Sequence, residues 1–197
     1  MQWLEVITDN HLIHQGHLRQ VLDRLHERYP IVLHGVTLNI GSVDPLDLDE
    51  WAAKIDGRTR LVLGEMPSNP QLSVFDIAAV AELAHAVGAP LIVDSTIATP
   101  ALLRPIEHGA DIVVQSLTKY IGGHSDVLMG LIVTNEKYWL PVRRAVADYG
   151  FSVSPDDCYL ALRGLRTIGV RMRHQQASAL KIARWLEQRP EVLRVLY

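Results

Sequence analysis

The sequence holds one cysteine, Cys158, so no disulfide can close within the chain. Cys158 falls inside a helical pattern, with no histidine or second cysteine at ligand spacing, and is expected to pack as a small apolar residue. A reducing, cytoplasmic setting is the default that follows. Long hydrophobic runs are also lacking. Leu91-Ile92-Val93 and Ile112-Val113-Val114 are strand-sized and far short of a membrane span. The opening residues, Met1 to Glu5, have neither the basic start nor the apolar stretch of a signal peptide. An excess of one charge is absent too: the net charge of −3 gives no pull toward nucleic acid or an anionic membrane. Internal repeats and low-complexity linkers are missing. What remains is 197 residues, 48% hydrophobic and 21% charged, enough for one domain with a real apolar core.

From Arg60 onward, short apolar strands alternate with amphipathic helices, the pattern of a mostly parallel α/β sheet with helices on both faces. Leu61 to Leu63 reads as a strand. Asp76 then caps a helix whose Val80, Leu83, Ala84 and Val87 share one face, and Gly88 ends it. Further strands are expected at Leu91 to Val93, Ile112 to Val114 and Met129 to Val133. The chain turns helical after Asn135. Ser154-Pro155-Asp156-Asp157 starts another helix, with a cap, a first-turn proline and acids. Its pattern runs through Leu162, Leu165, Ile168 and Met172 and resumes over Ala179 to Leu186. Pro190 stops it, and Val192 to Leu196 reads as a strand. The first fifty residues suggest a βαβ unit: strands at Glu5 to Ile7 and Ile31 to Leu33, with a helix over Leu18 to Glu27.

Chemistry concentrates between Asp111 and Asp126. A buried strand ends in Ser116, Thr118 and Lys119, and Gly122-Gly123 follows. Two hydroxyls beside the lysine can hold a phosphate while the amine reaches a carbonyl carbon. The glycines permit close backbone approach and unusual dihedrals. A lysine at the mouth of an apolar strand is expected to deprotonate readily, as Schiff-base chemistry needs. The competing reading is an exposed lysine on a plain glycine turn. Leu91-Ile-Val-Asp94-Ser-Thr96 adds an aspartate at the end of another apolar strand. In α/β sheets ligands lie beyond the carboxyl ends of the strands, where Asp94 and Lys119 would both project. A carboxylate there can pair with a protonated pyridine nitrogen, or it can merely cap the segment that follows.

Four segments carry a family resemblance: Glu65-Met-Pro-Ser-Asn-Pro70, Val93-Asp-Ser-Thr-Ile-Ala-Thr-Pro100, Ser116-Leu-Thr-Lys-Tyr-Ile-Gly-Gly-His-Ser-Asp126 and Leu160-Ala-Leu-Arg-Gly-Leu-Arg-Thr167. In order and together, they make residues 47–197 resemble the Cys/Met-metabolism family of pyridoxal-phosphate (PLP) enzymes. Phe151 to Tyr197 is most similar to the bacterial cystathionine β-lyase branch. The resemblance implies part of a fold-type I PLP-transferase large domain, with PLP as cofactor and no metal. It implies that Lys119 carries the cofactor and moves protons, that Ser116 and Thr118 hold the phosphate, and that Asp94 pairs with the pyridine nitrogen. Thr96 would lie beside the ring, and Asn69 near the phenolic oxygen and the substrate carboxylate. The implied reaction is β-elimination of cystathionine, a small sulfur amino acid, to homocysteine, pyruvate and ammonia. Cystathionine γ-lyase and γ-synthase chemistry use the same residues and stay open. A homotetramer of active dimers is the implied assembly.

Other parts that the resemblance implies have no match in this sequence: a Ser-Gly-Met turn for the phosphate, a ring-stacking tyrosine, an N-terminal arm and a C-terminal domain with a carboxylate-binding arginine. Efficient turnover by this chain alone is therefore not expected. Residues 1–46, with five of the nine histidines (His11, His14, His17, His26 and His34), instead resemble the opening of a TIM-barrel family of multinuclear non-haem iron oxidative enzymes. Trp3 to Asn10 and Tyr29 to Ser42 carry that likeness, which implies iron ligation by His34. On this reading the chain is a chimera joined near Asp44 to Asp49. It leaves two alternatives of another class, a metal-dependent oxidative enzyme fragment and a non-catalytic α/β fragment.

Overall fold

The structure, a computed structural model, describes residues 4–7, 31–34, 48–70 and 72–195, the first two stretches as backbone only. It divides into two compact units, residues 1–93 and 94–197.

In the first unit, β1 (Leu4–Ile7) pairs in parallel with β2 (Ile31–His34), Leu4 opposite Ile31 and Ile7 opposite His34. Parallel neighbours need a crossover, as the βαβ reading requires. The expected helix over Leu18 to Glu27, the histidines His11, His14, His17 and His26, and the side chain of His34 lie outside the described residues. Helix α1 (Leu48–Lys54) buries Trp51. Strand β3 (Val62–Glu65) follows, then α2 (Ile77–Ala86) and β4 (Leu91–Asp94). β3 and β4 are neighbours in the sheet, with α2 between them in the chain.

Local chemistry accounts for these limits. The Asp76 carboxylate accepts from the Ala79 N–H, one of the donors that a helix start leaves unpaired. Val80, Ala81 and Ala84 recur on the buried side of α2, and Gly88, at φ +77°, turns the chain out of the helix. β3 alternates buried Val62 and Gly64 with half-buried Leu63 and Glu65. Gly64 makes room for an aromatic pair, Trp51 and Phe75, whose ring centroids are 5.5 Å apart.

The second unit opens with Asp94, the last residue of β4. The Ser95 N–H donates to the Val114 carbonyl at 3.2 Å, so this strand end lies beside β5 (Ile112–Ser116). Short helix α3 (Thr99–Leu102) and the 3-10 turn Pro105–His108 connect them. β5 then pairs antiparallel with β6 (Gly130–Thr134), Ile112 opposite Thr134 and Ser116 opposite Gly130, so β6 departs from the parallel pattern. Asn135 anchors the exit of β6: its amide donates to Asp111 Oδ1 at 2.8 Å, while its own side-chain oxygen accepts from the Tyr138 N–H. There α4 (Glu136–Asp148) begins, followed by α5 (Pro155–Leu165), capped by Ser154, and α6 (Ile168–Leu186). The result is an α/β fold with strands flanked by helices. Among the described residues no helix is long and apolar enough to cross a membrane.

Four sequence expectations need correction. The break between the last two helices falls at Arg166–Thr167 and not after Met172; there the Thr167 hydroxyl bonds back to the Gly164 carbonyl. On α5 the small residues Ala161 and Gly164 face inward, leaving Leu162 and Leu165 exposed, because the helix packs closely on a backbone turn that admits nothing larger. Cys158 is exposed rather than packed. Residues 192–195 form no strand: the Val192 N–H bonds back to the Arg189 carbonyl, and Leu193 is fully exposed.

A Cβ on Gly64 would stand 2.7 Å from Phe75 Cζ. Gly64→Ala is therefore expected to destabilise the protein by about 1–3 kcal/mol, the usual cost of overpacking a filled interior, measured by urea denaturation. An unchanged midpoint would mean that Trp51 and Phe75 part at no cost.

Candidate active site

Two strand ends meet at a hydroxyl. Asp94 closes β4, and its Oδ1 accepts two hydrogen bonds from Thr96, from the N–H at 2.9 Å and from the hydroxyl at 2.6 Å. The same hydroxyl oxygen accepts from the Ser116 N–H, the last of β5, at 2.8 Å. Thr96 thus fixes the Asp94 carboxylate and sets it against the strand that leads to Lys119. Oδ2 of Asp94 takes no hydrogen bond among the described residues, and the residue is half-buried. One oxygen is satisfied and the other is available. Below this layer, buried Ser95 accepts at Oγ from Gln115 Nε2 at 3.0 Å, a second tie between the same strands.

After Ser116 the backbone makes a single π turn, Leu117–Ile121, closed by the Gly122 N–H on the Leu117 carbonyl at 2.8 Å. Leu117 and Ile121 point into a small core with Ala161 and Ile168, flanked by Met129 and Met172. Lys119 occupies the non-helical position of this turn, with φ −92° and ψ −117°. Its side chain is exposed, not enclosed by the apolar mouth that the sequence suggested. The Ser116 hydroxyl has no partner among the described residues, while that of Thr118 is engaged. Thr118 Oγ1 accepts from the Met129 N–H at 3.0 Å and donates to the Met129 carbonyl at 3.4 Å, tying the turn to the start of β6.

Of the residues singled out from sequence, hydrogen bonds bring Asp94, Thr96 and Ser116 together, and Thr118 and Lys119 follow on the attached turn. Asn69 belongs to the first unit. There it sits in an exposed turn, its N–H donating to Glu65 Oε2 at 3.1 Å. The neighbouring Ser68 is buried and accepts at Oγ from the Ser73 N–H, which closes the turn.

Arg171 is the residue that sequence reasoning missed. Its Nη1 donates to the Tyr120 carbonyl at 2.6 Å, and Nη2 donates to those of Ile121 at 3.1 Å and Gly164 at 2.7 Å. Nε donates to the Thr167 hydroxyl at 3.1 Å. The guanidinium therefore lies under the two residues that follow Lys119. Gly123, at φ +76°, packs against it so closely that a Cβ would overlap Nη1. Among the described residues no group of three or more histidine, cysteine or acidic side chains is arranged to hold a metal ion.

These features define an α/β protein whose adjoining strand ends present a half-open carboxylate and an exposed lysine. A protein-family profile, Cys/Met metabolism PLP-dependent enzyme, matches residues 10–197, and the chain belongs to that family. The match begins inside the segment that the sequence reading set apart at residues 1–46. Cystathionine gamma-lyase of Dictyostelium discoideum is 45% identical over 161 residues, 81% of this chain and 42% of that protein. The chloroplastic cystathionine beta-lyase of Arabidopsis thaliana is also 45% identical, over 156 residues, 79% of this chain and 34% of that protein. The solved structure of cystathionine gamma-lyase from Lactobacillus plantarum, complexed with L-serine, superposes with a TM-score of 0.78 at 32% identity. It covers 91% of this chain and 45% of that one. The chain spans less than half the length of the relatives it matches.

Thr96→Val removes a donor to Asp94 and the acceptor for the Ser116 N–H together. It is expected to cost about 1–3 kcal/mol, with faster hydrogen exchange at the Ser116 amide, whereas Thr96→Ser should retain most of the stability. Equal exchange rates in both variants would show that the bridge is dispensable.

Proposed function

We propose that this chain is the cofactor-binding core of a PLP-dependent carbon–sulfur lyase that cleaves cystathionine by β-elimination to homocysteine, pyruvate and ammonia. The observation that carries the proposal is the asymmetry of Asp94. Its Oδ1 is saturated by Thr96 and its Oδ2 is open, on a strand end joined by hydrogen bond to the strand that leads to Lys119. A carboxylate held in that way suits one strong, charge-assisted bond to a ring N–H.

The residues present fit the cofactor. Lys119, exposed on its turn, would attach it through the ε-amine. Asp94 Oδ2 would accept the pyridinium N–H, and Thr96 would hold that carboxylate at a fixed angle beside the ring. The unpartnered Ser116 hydroxyl would donate to the phosphate. Thr118 would do so by releasing its 3.4 Å bond to the Met129 carbonyl, the longer of its two contacts. Asn69 would serve the phenolic oxygen and the substrate carboxylate. PLP, when bound, supplies an electron-accepting ring that stabilises negative charge at the substrate α-carbon.

The chain's own part is proton traffic. The Lys119 amine, when unattached, would take the substrate α-proton and deliver a proton to the departing sulfur. Both jobs need a long, unencumbered side chain on a fixed backbone. β-Elimination is preferred for the likeness of residues 151–197 to the bacterial β-lyase branch. γ-Elimination and γ-replacement are the alternatives, and the β- and γ-lyase relatives named above are equally similar to this chain. A cytoplasmic homotetramer is part of the proposal, in keeping with the family resemblance and with the free thiol of Cys158.

Adding PLP is expected to give an absorbance band at the edge of the visible that Lys119→Ala abolishes and Asp94→Asn weakens. A band of equal strength in Lys119→Ala would sink the assignment. Turnover of cystathionine, slow in this chain without the missing family segments, should release pyruvate, detected by a coupled dehydrogenase, whereas γ-elimination would release cysteine and 2-oxobutyrate.

A further inference from the structure

The motif Leu160 to Thr167 has no direct part in holding the cofactor, yet it packs against the turn that bears Lys119. The contact begins with Gly164, where a Cβ would overlap the carbonyl oxygens of Ile121 and Gly122, so only glycine lets α5 come this near. Arg171, one turn into α6, enters the space this leaves and donates to three carbonyls, those of Tyr120, Ile121 and Gly164. The Thr167 hydroxyl orients the fork from the other side: it accepts from Nε and itself donates to the Gly164 carbonyl. All four hydrogen-bond partners of Arg171 among the described residues are neutral oxygens, three of them backbone. A half-buried cation that serves carbonyls rather than a carboxylate acts on chain geometry, and a planar five-donor fork is the side chain best suited to it.

The carbonyls of the Lys119 turn can be accounted for almost one by one. That of Leu117 accepts from the Gly122 N–H and that of Lys119 from the Gly123 N–H, each at 2.8 Å. The carbonyls of Tyr120 and Ile121 accept from Arg171, and that of Gly122 faces His124 Nδ1 at 2.7 Å. Gly123, which holds the Lys119 carbonyl, rests directly on the guanidinium. Arg171 therefore bears on the Lys119 backbone from two sides, through the next peptide and through the glycine that bonds it.

We infer that Arg171 is a positioning residue for Lys119: by clamping the Tyr120 and Ile121 carbonyls it fixes the base of the lysine while leaving the side chain free. The inference rests on Lys119 being the cofactor lysine, and it goes further by assigning the group that sets where the amine emerges. Arg171 has no contact with Lys119 Nζ and acts only through the backbone. Loss of the fork leaves carbonyls without donors, so the turn relaxes and the amine samples a wider volume.

The test uses the 197-residue chain, pyridoxal phosphate and borohydride reduction, with peptide mass spectrometry to give each lysine's share of the trapped label. Lys54, Lys137 and Lys181, the other lysines, act as internal controls for bulk reactivity. In the parent, Lys119 should dominate. Arg171→Met should lower its share by about tenfold, the equivalent of one lost charged hydrogen bond, with the three controls unchanged. Arg171→Lys, which keeps the charge but not the fork, should fall between, as should Thr167→Val, which removes only the bond that orients Nε. The two milder variants carry the test if Arg171→Met fails to fold, as judged by circular dichroism and melting. Folded Arg171→Lys and Thr167→Val chains that label Lys119 like the parent would overturn the inference while leaving the lysine assignment intact. A parent chain with no preference for Lys119 over its other lysines overturns the assignment and the inference together. A purely structural arginine would lower the melting temperature without changing how label divides among the lysines.

Discussion

The candidate site depends first on the Thr96 hydroxyl, which stands where two strands run out of backbone partners. β4 ends at Asp94 and β5 at Ser116, and beyond the Ser95 N–H bond to the Val114 carbonyl a side chain takes over the tie between these two strand ends. Thr96 Oγ1 accepts from one strand's final N–H and donates to the other strand's carboxylate, so a single atom continues the ladder by one more rung. The substitution of a side chain for a missing backbone partner is the principle by which helix ends are capped, applied here to two strand ends. It also divides the Asp94 carboxylate into an occupied oxygen and an open one. That inequality makes Asp94 a candidate ligand for a ring N–H rather than a solvated acid.

Much of this architecture was legible in the sequence, and the reasons are local. Asp76, Asn135 and Ser154 announced three helix starts, because capping requires a short polar side chain at one position and the donor it meets is only three residues ahead. The apolar triplets at 91–93 and 112–114 marked their strands because a buried strand needs little else. Asp94, Thr96 and Ser116 could be selected for the same reason: each stands at or just beyond a strand end, where α/β sheets place their ligands.

What sequence could not supply was anything decided by a partner far along the chain. Arg171 stands fifty residues beyond Ile121, and its partners are main-chain carbonyls, which every residue carries and no motif records. The inward face of α5 was misread because periodicity favours large apolar side chains. Close approach to the 120–122 backbone favours the smallest, so Ala161 and Gly164 turned inward and Leu162 and Leu165 outward. Cys158 failed in a related way: composition makes cysteine a packing residue, but the helix face that holds it looks outward. The lysine was expected in an apolar mouth since its strand is apolar, but the π turn carries Leu117 and Ile121 inward and puts Lys119 out.

That last outcome links the fold to the chemistry. On the proposed reading, Lys119 must attach a cofactor, let it go and carry protons, so it cannot be packed on all sides, yet a lysine on a loose loop would meet its target too rarely. Two opposed demands are met by separating tip from base. The π turn buries Leu117 and Ile121, glycines and Arg171 take up carbonyls, Thr118 ties the turn to β6, and the lysine side chain is left exposed. On that reading, four flexible carbons would span a small, fixed volume instead of a large, shifting one, and the effective concentration of the amine at its target would rise without any contact to the amine itself. Gly122, Gly123 and Gly164 are needed for the same end. At Gly123 and Gly164 a Cβ would push the turn away from the helix pair beneath it, and at Gly122 it would meet the Leu117 carbonyl and Val127.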